Sequence, residues 1–172
     1  TIIKDDKYWK DKLDRRFYSE QFIWELYPDK PEEAYINYFG EDFTILDLNN
    51  NNNLSNIPAL AFGKLTGLNY LNLHSNNLTT IPDSIGKLTG LKVLYLSYNN
   101  LTSIPDSIGN LTGLNYLDLS SNKLTNIPDS IGKLSQLQEL YLSYNKLSQQ
   151  EQDKIKRLLP NTEIYGLDEQ KK

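Results

Sequence analysis

The chain has 172 residues, with 18 basic and 22 acidic side chains and a net charge of −4. Lysine and the carboxylates are interspersed, so no basic stripe offers itself to phosphates, and no apolar run approaches the roughly 18 to 20 residues of a membrane span. With no cysteine, disulfides, thiolate metal sites and cysteine nucleophiles are excluded.

Residues 1–42 carry no repeat. Trp9, Leu13 and Phe17 lie four apart, as do Phe22 and Leu26, which is the spacing of one helix face. Tyr35 and Phe39 repeat it after Pro31, a residue suited to a first helical position, with Glu32 and Glu33 complementing the helix dipole. A helical amino-terminal cap is expected here, with Trp9, Phe17, Phe22 and Trp24 covering the first coil of the repeats that begin at Phe43.

An irregular 25-residue copy begins at Phe43 and contains Leu46, Leu48, Asn51, Leu54, Ile57 and Pro58. A 23-residue unit then recurs over 65–87, 88–110 and 111–133, and again from Leu134 until the pattern breaks. Such a unit cannot bury its apolar side without neighbours, so the copies must stack as a solenoid. In each L-x-L the leucines alternate with outward residues, the period of a strand with one buried face. Stacking brings successive strands to about 4.8 Å in a parallel sheet.

Asn51, Asn76, Asn99, Asn122 and Asn145 stand where each copy leaves the sheet. They are expected to point inward and satisfy backbone groups of adjacent coils. Pro82, Pro105 and Pro128 keep the return side extended or tightly turned, and Gly86, Gly109 and Gly132 are expected to permit the turn back to the sheet. The sequons at Asn53, Asn77, Asn100 and Asn110 fall out of the consensus. The Asp-Ser-Ile triplets at 83, 106 and 129 resemble a bacterial O-glycosylation signal, though turn chemistry explains them more simply.

At the carboxyl end Ser148 and Glu151 form a capping box, in which each side chain is expected to reach the other's backbone donor. The helix from about Gln149 to Leu159 should bury Ile155, Leu158 and Leu159, Pro160-Asn161 should stop it, and Glu163-Ile164-Tyr165 can add a short strand. From Asp168 a disordered tail is expected.

The pattern L-x-x-L-x-L-x-x-N-x-L at 68–78, 91–101, 114–124 and 137–147 resembles the leucine-rich repeat family, over residues 43 to 165. Its short I-P-D-S-I-G back side is similar to versions common in bacteria and in some intracellular eukaryotic proteins. The resemblance implies an α/β protein, a right-handed solenoid with a parallel concave sheet, a short 3-10 or extended convex side, and helical caps. One domain over 1–172 is implied: cap 1–42, five copies over 43–147, carboxyl-terminal cap 148–167 and tail 168–172. Secreted eukaryotic members usually close their ends with disulfides, so the lack of cysteine favours a bacterial or intracellular protein. A bacterial secreted or cell-surface setting is preferred to the cytoplasm. The chain begins at Thr1 and has no methionine, so the lack of a leader segment is uninformative.

The concave face is free of the core's demands. One outward column reads Ile45, Tyr70, Val93, Tyr116, Glu139; the next reads Asp47, Asn72, Tyr95, Asp118, Tyr141; a third reads Asn49, His74, Ser97, Ser120, Ser143. Tyr98 and Tyr144 stand beside it at the strand exit. Tyrosines within a column are expected about 9 to 10 Å apart. Tyrosine gives contact area and a hydroxyl with little rotamer entropy to lose. Tyr70, Tyr95, Tyr98, Tyr116, Tyr141 and Tyr144, with Asn72, His74 and Asp118, are the expected partner-binding residues of a monomeric protein-binding module. A glycan surface, on which sugars stack beside Asp118 and Asn72, and a ligand-free spacer are the alternatives.

Catalysis finds little footing. Asp47 and Asp118 are three strands, about 14 Å, apart, too far for a carboxylate pair. His74 with Ser97 and Asp47 can be drawn as a triad, but an open sheet supplies no oxyanion donors and no exclusion of water. With no metal-ligand cluster and no glycine-rich phosphate loop, no cofactor is expected.

Overall fold

In the computed structural model, residues 44–49 and 65–170 are described; the expected amino-terminal helices and Asn51 lie outside them. Each L-x-L forms a three-residue strand whose central residue points inward: β1 Ile45–Asp47, β2 Tyr70–Asn72, β3 Val93–Tyr95, β4 Tyr116–Asp118 and β5 Glu139–Tyr141. The sixth, β6 Glu163–Tyr165, comes after the cap helix α1, Gln149–Leu158. The six pair in chain order, all parallel and without slippage, so that Leu46, Leu71, Leu94, Leu117, Leu140 and Ile164 form one row. The leucines and isoleucines of the described copies, except the outward Ile45, join a single continuous core.

The asparagines tie the coils together as the sequence predicts. Asn99 Nδ2 donates to the carbonyls of Leu73 and Leu96, Asn122 Nδ2 to Leu96 and Leu119, and Asn145 Nδ2 to Leu119 and Leu142, at 2.9 to 3.1 Å. Each Oδ1 accepts an amide from the preceding coil: Leu78, Leu101 and Leu124 in turn. At Asn99, Asn122 and Asn145 the buried polar column is thereby satisfied on both sides, while Asn76 Nδ2 donates to the Leu48 and Leu73 carbonyls.

The convex side is three 3-10 turns, Asp83–Lys87, Asp106–Asn110 and Asp129–Lys133, each entered through an extended proline. Here the role of the glycines differs from the expectation. Gly86, Gly109 and Gly132 lie in these turns but have no positive φ, so the turn does not draw on glycine's conformational freedom. Gly86 and Gly109 instead let neighbouring coils approach: a Cβ on Gly109 would lie 2.6 Å from the Ser130 carbonyl oxygen, and one on Gly86 2.7 Å from that of Ser107. Gly109→Ala should therefore lower stability by about 1 to 3 kcal/mol through overpacking, read as a fall in the urea midpoint. Gly132→Ala, whose added carbon meets Leu158 at 3.4 Å, should cost clearly less; equal effects would refute the close-approach reading.

The same stacking encloses Ser84, Ser107 and Ser130. Their Oγ atoms are buried and have no hydrogen-bond partner among the described residues, so the Asp-Ser-Ile hydroxyls cannot accept a glycan while the turns are stacked. A small side chain is what the facing glycine requires.

The carboxyl end closes by side chains that take the place of another coil. Ser148 Oγ accepts from Glu151 N at 3.2 Å, but the reciprocal half of the capping box is not made. Glu151 Oε1 instead accepts the Ile127 amide at 2.7 Å, and Lys154 Nζ donates to the Ile127 carbonyl at 2.6 Å while pairing with Glu151 and Asp129. Burial lowers the Lys154 pKa, but its hydrogen bonds to Glu151 and Asp129 outweigh this and the net direction is up. Beneath α1, Ile155 and Leu159 are buried, and Leu158 packs partly against the core.

The tail expected to be disordered from Asp168 is bonded as far as Gln170. Glu169 O accepts from Tyr144 N, Gln170 Nε2 donates to Leu142 O at 3.0 Å, and its Oε1 accepts from Leu147 N at 3.1 Å. Gln170 thus repeats the asparagine's contacts, its extra methylene adding reach. The free backbone groups of the fifth copy are what order it.

Candidate functional site

In-register stacking brings the outward tyrosines into one row. Tyr70, Tyr95, Tyr116, Tyr141 and Tyr165 contact one another in sequence, with ring centroids 5.8, 4.9, 5.2 and 4.6 Å apart. The first three steps cross diagonally between columns on adjacent strands, and the last is a stacked pair at 18° within one column. Spacing within a column hid this, because alternating tyrosines approach along the diagonal, within reach of an aromatic ring. The rings are half-buried, apart from Tyr165 at the more exposed end.

Where the second column lacks tyrosine it carries Asp or Asn, and these hold the strand exit. Asp47, Asn72 and Asp118 Oδ1 accept the amides of Asn49, His74 and Ser120 respectively, two residues on. The next exit position takes left-handed backbone at Ser75, Tyr98, Ser121 and Tyr144, with φ between 53 and 58°. That conformation costs an L residue about 1 to 2 kcal/mol. Tyr98 and Tyr144 are nonetheless aromatic there, and 59% and 50% exposed.

His74 and Ser97 meet directly, Nδ1 to Oγ at 2.8 Å, with the His74 ring also against Tyr98. Ser97, expected outward, is buried beneath this contact. Asp47 does not orient the histidine; its Oδ1 binds the amide and side chain of Asn49.

Four phenols of the row, Tyr70, Tyr116, Tyr141 and Tyr165, titrate above their ordinary value. Burial, then the charges of Asp118 and of the neighbouring tyrosines, push Tyr116 well up. Tyr141, donating its hydroxyl to Glu139 Oε2 at 2.7 Å, is raised to about 12, chiefly by that hydrogen bond. Tyr165 is raised first by its hydrogen bond to Glu163, and Tyr70 by burial and then by Asp47. At these four positions the neutral phenol is the favoured form, and Tyr141 and Tyr165 use it to donate a hydrogen bond.

Tyr165, Glu139 and Glu163 are the members of this surface that reading by column left out of the site. Glu163-Ile164-Tyr165 repeats Glu139-Leu140-Tyr141 in pattern; that echo is the signal that the cap continues the face. Among the described residues no group of three or more His, Cys, Asp or Glu is placed to hold a metal ion, and no helix is long and apolar enough to cross a membrane.

Comparison with known proteins agrees with this architecture. The family model described as a leucine-rich repeat region matches residues 41–164. A solved leucine-rich repeat protein of Leptospira interrogans is 32% identical with a TM-score of 0.59, over 76% of this chain and 38% of that one. This chain thus spans well under half the length of that protein. No curated protein matches in sequence. From its repeat, its parallel sheet and its family match alike, the chain belongs to the leucine-rich repeat proteins.

Proposed function

We propose that this protein is a non-enzymatic, monomeric module that binds a protein ligand through its concave face, in a bacterial secreted or cell-surface setting. The observation that carries this reading is the unbroken row of five tyrosines across a solenoid face. Tyr98 and Tyr144 support it: the exit turn takes left-handed backbone at Ser75 and Ser121 as well, so the fold is served by a small residue there and an exposed aromatic ring is not what it requires. The binding residues are those expected, Tyr70, Asn72, His74, Tyr95, Tyr98, Tyr116, Asp118, Tyr141 and Tyr144, extended by Tyr165. The Leptospira relative supports the bacterial setting. Protein is preferred to glycan because sugar stacking needs an open ring face, and these rings lie against one another.

The test replaces Tyr95, Tyr116 and Tyr141 together with serine. The expected outcome is loss of a protein captured by the parent chain from host or bacterial lysates. Circular dichroism should keep its folded shape, with a modest fall in Tm from the lost ring contacts, each worth about 0.5 to 1.5 kcal/mol. Undiminished capture, or binding on a glycan array that the triple variant abolishes with no protein captured, would remove the reading.

A further inference from the structure

The tyrosine row lies among carboxylates that make no ion pair among the described residues. Along the strands and their flanks, 44–49, 69–75, 92–98, 115–121, 138–144 and 163–165, stand Asp47, Asp118, Glu139 and Glu163 against a single ammonium, Lys92. Glu139 and Glu163 occupy directly paired positions of β5 and β6, an arrangement of like charges that is destabilising. Asp118 is one strand further, paired with Tyr141. Among the described residues the ion pairs are those of Lys154 with Asp129 and Glu151, at the cap and away from this face.

Tyr141 and Tyr165 donate their hydroxyls to Glu139 and Glu163. Neither bond supplies a positive charge, and both hold a carboxylate in place beside the row. Asp118 uses one oxygen for the Ser120 amide. What the carboxyl-terminal half of the face offers is a ridge of mutually packed tyrosine rings with fixed negative groups along it.

We propose that this face docks an extended segment of a partner protein bearing arginine or lysine, its cationic ends pairing with Asp118, Glu139 and Glu163 and its side-chain stems lying on the tyrosine row. The proposal rests on the protein-binding reading and adds the partner's chemistry. Charge complementarity selects this occupant: an acidic segment would add to the Glu139–Glu163 repulsion, while a guanidinium relieves it and matches a carboxylate's two oxygens. Long cationic side chains also cover apolar surface with their methylene stems. Six strands about 4.8 Å apart span about 24 Å, which about eight extended residues can cross.

The experiment uses the full chain and three labelled synthetic peptides of about eight residues, alternating serine with arginine, glutamine or glutamate. Affinity is followed by fluorescence anisotropy at physiological ionic strength, where long-range attraction is screened. The concave variant is Asp118→Asn with Glu139→Gln and Glu163→Gln. Each amide keeps an acceptor oxygen for its present partner, as Asn72 already does for His74. The control, Asp83→Asn with Asp106→Asn and Asp153→Asn, removes as much charge from exposed sites elsewhere.

The arginine peptide is expected to bind tightest, to weaken about tenfold or more in the concave variant, and to change by less than about twofold in the control. Equal weakening in both variants would mean general attraction to an acidic chain and would overturn the proposal. So would tighter binding of the glutamine or glutamate peptide; if Tyr95, Tyr116 and Tyr141 were still required for it, the protein-binding reading would stand without the cationic partner. Failure of all three peptides also overturns it, and the wider reading falls only if the triple tyrosine variant captures as the parent does.

Discussion

Leu117→Ala is expected to lower the unfolding free energy by about 2 to 5 kcal/mol. Leu117 is fully buried at the centre of β4, paired with Leu94 on one side and Leu140 on the other. Truncation leaves a cavity that can collapse only by shifting one coil against two others, and their spacing is fixed by the backbone ladder and the asparagine column. In a repeat array, stability is roughly a sum of unit and interface terms, and this substitution weakens two interfaces at once. Chemical denaturation should show a lower midpoint; an unchanged midpoint would mean that the leucine row is not the core.

Asn122→Ala is expected to cost about 1 to 3 kcal/mol. The bond pattern shows which loss matters. Leu96 O is also bonded by Asn99 Nδ2 and Leu119 O by Asn145 Nδ2, so both carbonyls keep a partner. The Leu101 amide has Asn122 Oδ1 as its acceptor, and alanine leaves it buried without one. Asn122→Asp separates the two roles: it keeps that acceptor but sets a carboxylate against the two leucine carbonyls. It should destabilise more than alanine at neutral pH and recover as acid protonates the carboxyl. A variant as stable as the parent in urea would show that the column is ornamental.

Much of this molecule was legible in the sequence because the repeat states each structural demand several times. The L-x-L alternation gave the strands, Ser148 the start of α1, and Asn76, Asn99, Asn122 and Asn145 the inward column, each from a local pattern. The contacts that escaped are made between copies. Gly109 looked like a glycine chosen for its backbone freedom because the neighbour that requires it, Ser130, is 21 positions away. The diagonal meeting of Tyr95 with Tyr116 depends on register and ring reach together, which separate columns do not display. Gln170 differs from the asparagine by one methylene and lies beyond the last consensus residue, so only its bonds to Leu142 and Leu147 identify it as a further member of the series.

The way Gln170, Glu151 and Lys154 finish the array bears on how such a molecule changes size. Glu151 and Lys154 meet the fourth copy and Gln170 the fifth with side-chain substitutes for what a further coil would provide, so this closure does not depend on how many units precede it. Gene duplication can therefore splice in whole 23-residue modules without redesigning the carboxyl-terminal closure, each one widening the recognition surface by a single strand's breadth.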